Sequence, residues 1–403
     1  MANLLWGKVF YKDHFAGFLR EEPGERISFA YDENYLDSGQ PEIAYTLPLR
    51  KEPFISAHGL LAFFDNLVAE GWLENAQSRL LGKRAVSRFE LLLAFGSDCA
   101  GAVSVLDPEP NKLSGKFMDT DNPKELAVMN GRASLSGVQP KLAIVERGGV
   151  FFPAKIGELS THIAKFPSSH HEDLVINEYL TTLAFKTLMP KEEVVDLHMK
   201  AIHGFEEQAL IIKRFDRAEN GERIHFEEFN QLLGNNSLQK YDGNYKQMAD
   251  FIRNLKEENR LDLYKLFKRI IAGFLLGNTD MHLKNFAMIY REKFMQLVPV
   301  YDEVCSTLYG YKTLALSLGG AKDMELGSLK PKHIIALGQE FDVPDEAIKM
   351  AVDQLKENLE AAKTAIASAR VEAPFLKNTL IETIEKRWNG TFALIGKSLS
   401  KRP

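Results

Sequence analysis

The chain predicts an α+β fold in which a small N-terminal subdomain precedes a larger unit that is strand-rich first and mainly helical afterwards, and three observations carry this. Short apolar runs bounded by turn residues surround one long helical stretch in the first hundred or so residues. A tract rich in Pro, Asn, Asp, Gly and Lys then separates this part from a second group of strand-like runs containing one helix. Beyond about residue 226 the periodicity is almost entirely helical. The resulting partition is 1–108, a linker over 109–132, a strand-rich lobe over 133–215 and a helical lobe over 216–403. With 403 residues, 45% of them hydrophobic and 26% charged, the chain has the material for more than one core.

Taken in order, strands are expected near 4–10, 27–31 and 102–106, and a helix over about 57–81. In that helix Leu60, Leu61, Phe64, Leu67, Val68 and Leu73 recur at the spacing of a core-facing stripe. After the linker, 141–145 and 150–152 read as strands around Arg147-Gly148-Gly149, and 161–166 as a third. A helix over 174–188 is stopped by Pro190. Strands follow near 194–198 and 208–213. The clearest later helices are 261–276 and 345–369, and between them 286–290 and 295–300 read as a hairpin around Arg291-Glu292-Lys293. No internal repeat is present.

Charge and composition exclude several classes. A net charge of −5 argues against direct nucleic-acid binding, which needs a basic surface. Lys83-Arg84 with Arg88 reads as a solvated helix end. The two cysteines, Cys99 and Cys305, have no metal-ligand or redox spacing and read as small core residues. No run has the length and apolarity of a bilayer span, and the first residues lack the layout of a signal peptide, so a cytoplasmic chain is expected.

The most informative segment is Asn278-Thr279-Asp280-Met281-His282-Leu283-Lys284-Asn285, followed by Tyr301-Asp302. An Asp with an Asn five positions later is the spacing of a protein-kinase catalytic loop, where the Asp handles the acceptor proton and the Asn holds magnesium. The metal needs another hard oxygen ligand, and the hairpin would return Asp302 beside Asn285. Taken alone, Asn-Thr-Asp is equally a helix end and turn. His282 reads as a brace of the loop backbone, with a base or metal ligand as the alternative. Lys284 either steadies the transferring phosphoryl group or is solvated.

Two further features have a phosphate reading. Ser134-Leu135-Ser136-Gly137-Val138-Gln139-Pro140-Lys141 is a glycine-containing turn able to aim backbone N–H groups at a phosphate, with Lys141 adding charge; it is not a Walker motif, and an ordinary turn is the alternative. Lys165 lies in an otherwise apolar strand, where an ammonium has to snorkel or find anionic partners such as nucleotide phosphates and Glu178. Lys213-Arg214-Phe215-Asp216-Arg217 closes the last strand before the helical part. Arg214, Asp216 and Arg217 read as a structural ion-pair network there.

Together these strings closely resemble HipA-type serine/threonine kinases, the toxins of bacterial toxin–antitoxin pairs. Phe64-Asp65-Asn66-Leu67-Val68-Ala69-Glu70-Gly71-Trp72 is similar to their small N-terminal subdomain. The resemblance implies a two-lobed protein-kinase-like fold, with ATP and Mg2+ as cofactors. It implies that Asp280, His282 and Lys284 form the catalytic group and that Asn285 and Asp302 hold the metal. Ser136, Gly137, Val138, Gln139, Lys141 and Lys165 would take the phosphates, Glu178 would pair with Lys165, and Lys213, Phe215 and Tyr301 would complete the nucleotide site. Ser134, or Ser136 in its place, would be autophosphorylated and shut the kinase down. The implied partners are a protein substrate from translation, such as an aminoacyl-tRNA synthetase, and a HipB-like helix-turn-helix antitoxin. Two rival readings are a small-molecule kinase of aminoglycoside type, which lacks the serine-rich loop and the N-terminal subdomain, and an inactive kinase fold that only docks on a DNA-binding antitoxin.

Overall fold

The computed structural model describes residues 4–83, 85–109, 117–118, 120–135, 137, 139–168, 171, 173–255, 260–291 and 294–400. They fall into two compact units, 1–168 with 197–238, and 169–196 with 239–403.

The first unit contains two antiparallel five-stranded sheets. Strands β1 (Trp6–Tyr11), β2 (His14–Glu22), β3 (Arg26–Tyr31), β4 (Phe54–Ser56) and β5 (Val103–Leu106) are ordered β4-β3-β2-β1-β5. Their inward residues Val9, Leu19 and Phe29 share one core with Phe63, Phe64, Leu92 and Phe95 from the helices beside them. The expected helix over 57–81 is instead two, Ala62–Leu67 and Gly71–Leu80. The chain is extended at Val68 and Glu70, and Gly71 takes a left-handed φ of 59°. Val68 and Leu73 are both buried, so the apolar stripe runs through the break and its periodicity cannot reveal it. Within the stretch expected to be linker, Pro123–Gly131 is a helix, with Pro123 in its first turn and the Asn122 side chain accepting from the N–H groups of Lys124 and Glu125. Arg88 is not solvated: its Nε lies 2.5 Å from Asp65 Oδ1. Lys83 pairs with Glu90, and Arg84 lies outside the described residues.

Strands β6 (Lys141–Arg147), β7 (Val150–Pro153), β8 (His162–Lys165), β9 (Leu197–Ala201) and β10 (Gln208–Lys213) form the second sheet, ordered β7-β6-β8-β10-β9. Gly148 and Gly149 join β6 to β7 with φ of 59° and 81°, the paired positive values that a tight two-residue hairpin demands. The ninth strand starts at Leu197, later than the expected 194. Val194 instead bridges to Val300 within the second unit. A short β11 (Phe226–Glu228) completes the strands of the first unit.

A buried ion network ties the two halves of this unit together. Asp98 accepts from Arg217 Nη2 at 2.6 Å and, through its other oxygen, from Ser160 Oγ at 2.6 Å and Ser160 N at 3.0 Å. Asp216 accepts from Arg214 at 2.9 and 2.7 Å, from Arg217 at 2.8 Å and from Gly101 N at 2.8 Å. Burial alone would raise the pKa of Asp98, but Arg214, Arg217 and Arg223 outweigh it and hold the carboxyl below its usual range.

The second unit is mainly helical: Leu174–Leu188, Tyr245–Arg253, Arg260–Leu276, Pro331–Glu340, Asp345–Ser368 and Pro374–Gly390. Leu174–Leu188 packs on Asp345–Ser368, where Asn358 donates to the Leu188 carbonyl. A hairpin of β12 (Ala287–Arg291) and β13 (Phe294–Leu297) interrupts the helices; Glu292 and Lys293 of its expected turn lie outside the described residues. Among the described residues, no helix is long and apolar enough to cross a membrane.

Removing one charge from the buried network strands its partners. Asp98→Ala is expected to cost about 3–5 kcal/mol, read as a lower urea midpoint of the full chain, because Arg214 and Arg217 then remain buried without that carboxylate.

Candidate active site

Helix Arg260–Leu276 ends where Gly277 turns with a φ of 82°; a Cβ there would meet Cys305 Sγ and Thr307 Oγ1, both at 2.7 Å. Only a glycine lets the chain pass this close and continue as a loop. Residues 278–285 then run alongside 301–306, joined rung by rung. Asn278 Nδ2 donates to Glu303 Oε2 at 2.9 Å, while its Oδ1 accepts from the Asp280 N–H at 3.0 Å. Thr279 N–H donates to Ser306 Oγ at 2.7 Å, and Thr279 Oγ1 donates to the Tyr311 carbonyl at 2.8 Å. Tyr301 donates its hydroxyl to the Lys284 carbonyl at 2.6 Å. Asn285 Nδ2 donates to Asp302 Oδ2 at 2.9 Å, and its Oδ1 accepts from the His282 N–H at 3.0 Å.

The structure therefore brings Asp280, Asn285 and Asp302 together through the hairpin. His282 is buried, and its Nδ1 accepts from the Lys284 N–H at 3.3 Å, which leaves the proton of a neutral ring on Nε2. It braces the loop. Lys284 is buried as well. Asp302 has a left-handed φ of 62°, a conformation costly for a side chain and found where surrounding structure enforces it.

The site is acidic. Crowding by protein, and after it the charge of Asp302, push the Asp280 pKa up to about 6, although the side chain itself reaches solvent. The Tyr241 hydroxyl, 3.1 Å from Asp280 Oδ1, and Lys240 oppose that rise. Burial pushes Glu303 up to about 7 against its bond from Asn278, with Asp302 and Glu178 adding to the rise. Glu178 belongs to helix Leu174–Leu188, which is fastened here by its neighbour Asn177. That amide accepts from Cys305 N at 2.9 Å and donates to the Cys305 carbonyl at 3.2 Å. For a magnesium ion, the Asp302 carboxylate and the Asn285 amide oxygen are hard donors of the right class; the two side chains meet through Asn285 Nδ2, while its Oδ1 accepts from the His282 N–H.

In the first unit, Lys141 and Lys165 are register partners on β6 and β8, so both ammonium-bearing side chains leave the same face of the sheet. Both are buried. Gly137, with φ 101°, lies so close to Lys141 that a Cβ would stand 2.3 Å from its Nζ. Gln139 donates to the Phe166 carbonyl at 3.1 Å. Ser134 is buried and donates to the Leu67 carbonyl at 2.6 Å. Ser136 and Val138 lie outside the described residues. Lys213 ends β10 exposed, with its Nζ 3.7 Å from Glu219, and Phe215 packs edge-on against Phe226. Arg214 and Arg217 belong to the buried ion network.

Sequence reasoning missed Tyr241, Asn278, Glu303, Ser306 and Asn177. Glu303 carried a usable signal, a second carboxylate directly after Asp302. Tyr241 carried none, since it reaches Asp280 from 39 positions away.

Comparison with known proteins follows the same outline. The model of the HipA-like C-terminal domain matches residues 133–363, and that of the HipA N-terminal domain matches residues 7–106. A putative kinase, Y4dM, of Sinorhizobium fredii is 29% identical over 379 residues, covering 87% of this chain and 88% of that protein. The serine/threonine-protein kinase toxin HipA of Shewanella oneidensis is 30% identical over 312 residues, covering 69% and 70%. A solved complex of Shewanella oneidensis HipA with HipB and operator DNA contains a chain that superposes with a TM-score of 0.74 at 22% identity, over 97% of this chain and 99% of that one. That likeness shows the fold to be HipA-like.

Glu303→Gln retains an acceptor for Asn278 and is expected to keep the thermal midpoint near that of the wild type. Glu303→Ala leaves the buried Asn278 amide without its acceptor, and a loss of about 1–3 kcal/mol is expected from chemical denaturation.

Proposed function

This chain belongs to the HipA family, and we propose from that premise that it is an ATP- and magnesium-dependent serine/threonine protein kinase acting as the toxin of a toxin–antitoxin pair. The observation that carries the reading is the hydrogen bond between Asn285 and Asp302, 17 positions apart, in a loop that also presents Asp280, because these are the groups a phosphotransferase needs together. Asp280 orients the acceptor hydroxyl and takes its proton; a carboxylate with a pKa raised to about 6 is ionised near neutral pH yet still basic enough for the task. Asp302 and Asn285 hold magnesium, which when bound screens the charge of the phosphates. Lys141 and Lys165 attract the polyphosphate, and side-by-side ammonium groups on one sheet face suit an anion. Glu178 fixes Lys165 in this reading, the backbone at Lys213 and Phe215 receives the adenine, and Lys284 steadies the transferring group.

The substrate is a translation protein, an aminoacyl-tRNA synthetase being the leading class, and a HipB-like helix-turn-helix antitoxin is the partner. The solved complex of a relative with HipB and operator DNA supports that partner. A net charge of −5 leaves DNA contact to the antitoxin.

Regulation follows from Ser134 and Ser136. A phosphoserine carries about −1.5 to −2 charge at neutral pH. Ser134 is buried with its hydroxyl on the Leu67 carbonyl, so the loop has to leave that seat before a phosphate can be placed there. Once modified it cannot return, since a buried carbonyl repels the new anion.

Three outcomes test this reading. Asp280→Asn is expected to keep the fold and lower phosphoryl transfer by about 10²- to 10⁴-fold, measured with radiolabelled ATP; Asp302→Ala is expected to abolish magnesium-dependent nucleotide binding in calorimetry. Catalytically active protein is expected to acquire phosphate on Ser134, Ser136 or both by peptide mass spectrometry and then to bind ATP more weakly, whereas Asp280→Asn stays unmodified.

A further inference from the structure

Tyr241 stands outside everything the kinase reading assigns, yet its hydroxyl is the group placed on the catalytic carboxylate. The phenol oxygen lies 3.1 Å from Asp280 Oδ1 and, facing an ionised carboxylate, it is the donor. An acceptor Ser or Thr presents the same bond, an aliphatic O–H pointed at Asp280, during transfer. The phenol therefore occupies the chemical place of the acceptor.

Its placement is built into the loop. The Lys240 carbonyl accepts from the Leu283 N–H at 3.1 Å, which locks residue 240 to the middle of the catalytic loop. The Tyr241 ring meets His282 edge-on with centroids 5.1 Å apart, and Lys240 Nζ lies 5.5 Å from the centre of the same ring. Gly243 completes the fit: a Cβ there would stand 2.8 Å from Leu283 Cδ1, so a larger residue would have to push the Leu283 side chain aside. Nearly half of the tyrosine's surface is nonetheless exposed, at 48%. A ring fixed at its base and open to solvent at the hydroxyl end can be displaced by a competitor without unfolding anything.

We propose that Tyr241 is an acceptor-site gate: its hydroxyl holds Asp280 in the resting protein, excludes water from that position, and is displaced by the hydroxyl of a docked protein acceptor. The gain is selectivity against hydrolysis. Without a gate, water beside Asp280 attacks the γ-phosphorus: a new P–O bond forms from the water oxygen, the bond to ADP breaks, and the water proton passes to Asp280. A tethered phenol blocks that loss until an acceptor with binding energy of its own displaces it. The bond from Tyr241 also counts among the influences that lower the Asp280 pKa, so the phenol favours the ionised, ready form of the carboxylate while it waits.

This inference rests on the kinase reading, and the test separates the two. Wild type, Tyr241→Phe and Tyr241→Leu are compared for magnesium-dependent ADP release without any protein acceptor, and then for transfer to dephosphorylated casein. Losing one hydrogen bond to a carboxylate is worth roughly ten- to a hundredfold, so both variants are expected to release ADP faster than the wild type by about that factor. In Tyr241→Phe the KM for casein is expected to fall similarly with kcat unchanged, since the ring and the positioning of Asp280 are kept. A phenol that merely positioned Asp280 would give the opposite result, a lower kcat and unchanged or slower hydrolysis, and that result overturns the gate. Release of ADP by the wild type with no increase in either variant overturns the gate alone. Absence of ADP release from all three proteins overturns the kinase reading and the gate with it.

Discussion

Two carboxylates and a buried glutamate, Asp280, Asp302 and Glu303, have to share one small region of the second unit, and their mutual repulsion is the constraint around which the site is built. Neutral hydrogen-bonding groups meet it. Asn278 bridges Glu303 to the backbone of Asp280, Asn285 bridges Asp302 to the backbone of His282, and Thr279 with Ser306 closes the gap between these two bridges. Each amide donates to an acidic side chain of the facing segment with its nitrogen and accepts from a backbone N–H of its own loop with its oxygen. An added cationic side chain would neutralise the carboxylates as well, but it would occupy lone pairs that these amides leave open. Amides hold the acids from one side and leave the other available.

The same logic explains the left-handed backbone at Asp302. Tyr301 is fixed to Lys284 and Glu303 to Asn278, so residue 302 has both neighbours pinned to the facing loop. The positive φ is the turn that lets two successive side chains serve different functions, one toward Asn285 and one toward Asn278. A glycine would adopt the conformation at no steric cost but would bring no carboxylate. Strain of this kind is kept only where the side chain is indispensable.

What could be read from the sequence depended on whether the determining groups were neighbours along the chain. The helix Leu174–Leu188, the strand Gln208–Lys213 and the hairpin of Ala287–Arg291 with Phe294–Leu297 were legible because periodicity and turn residues are local. The spacing of Asp280 and Asn285 was legible for the same reason. The break at Val68–Gly71 was not, because the residues that leave the helix are as apolar and as buried as those that form it, so the stripe is unbroken in sequence. The helix Pro123–Gly131 was hidden in a polar tract, although Asn122 and Pro123 are a proper start signal. Tyr241 and Asn177 act over long separations and depend on tertiary placement alone.

The first unit shows why its N-terminal part and its second sheet have to be treated together. Asp98 follows the helix Arg88–Phe95 of the N-terminal part, yet its two oxygens serve Ser160, just before β8, and Arg217, just after β10. Ser134, ahead of the second sheet, likewise reaches back to the Leu67 carbonyl at the end of the helix Ala62–Leu67. Both ends of the lysine-bearing strands are therefore set by groups of the N-terminal part. A charged network is a weak source of stability compared with apolar packing, but it tolerates little change in geometry, because any shift leaves a buried arginine or aspartate unsatisfied. Its contribution is to register: it fixes where β8 begins and where β10 ends, and with them the places of Lys165 and Lys213, two of the positions on which the nucleotide reading of this sheet depends.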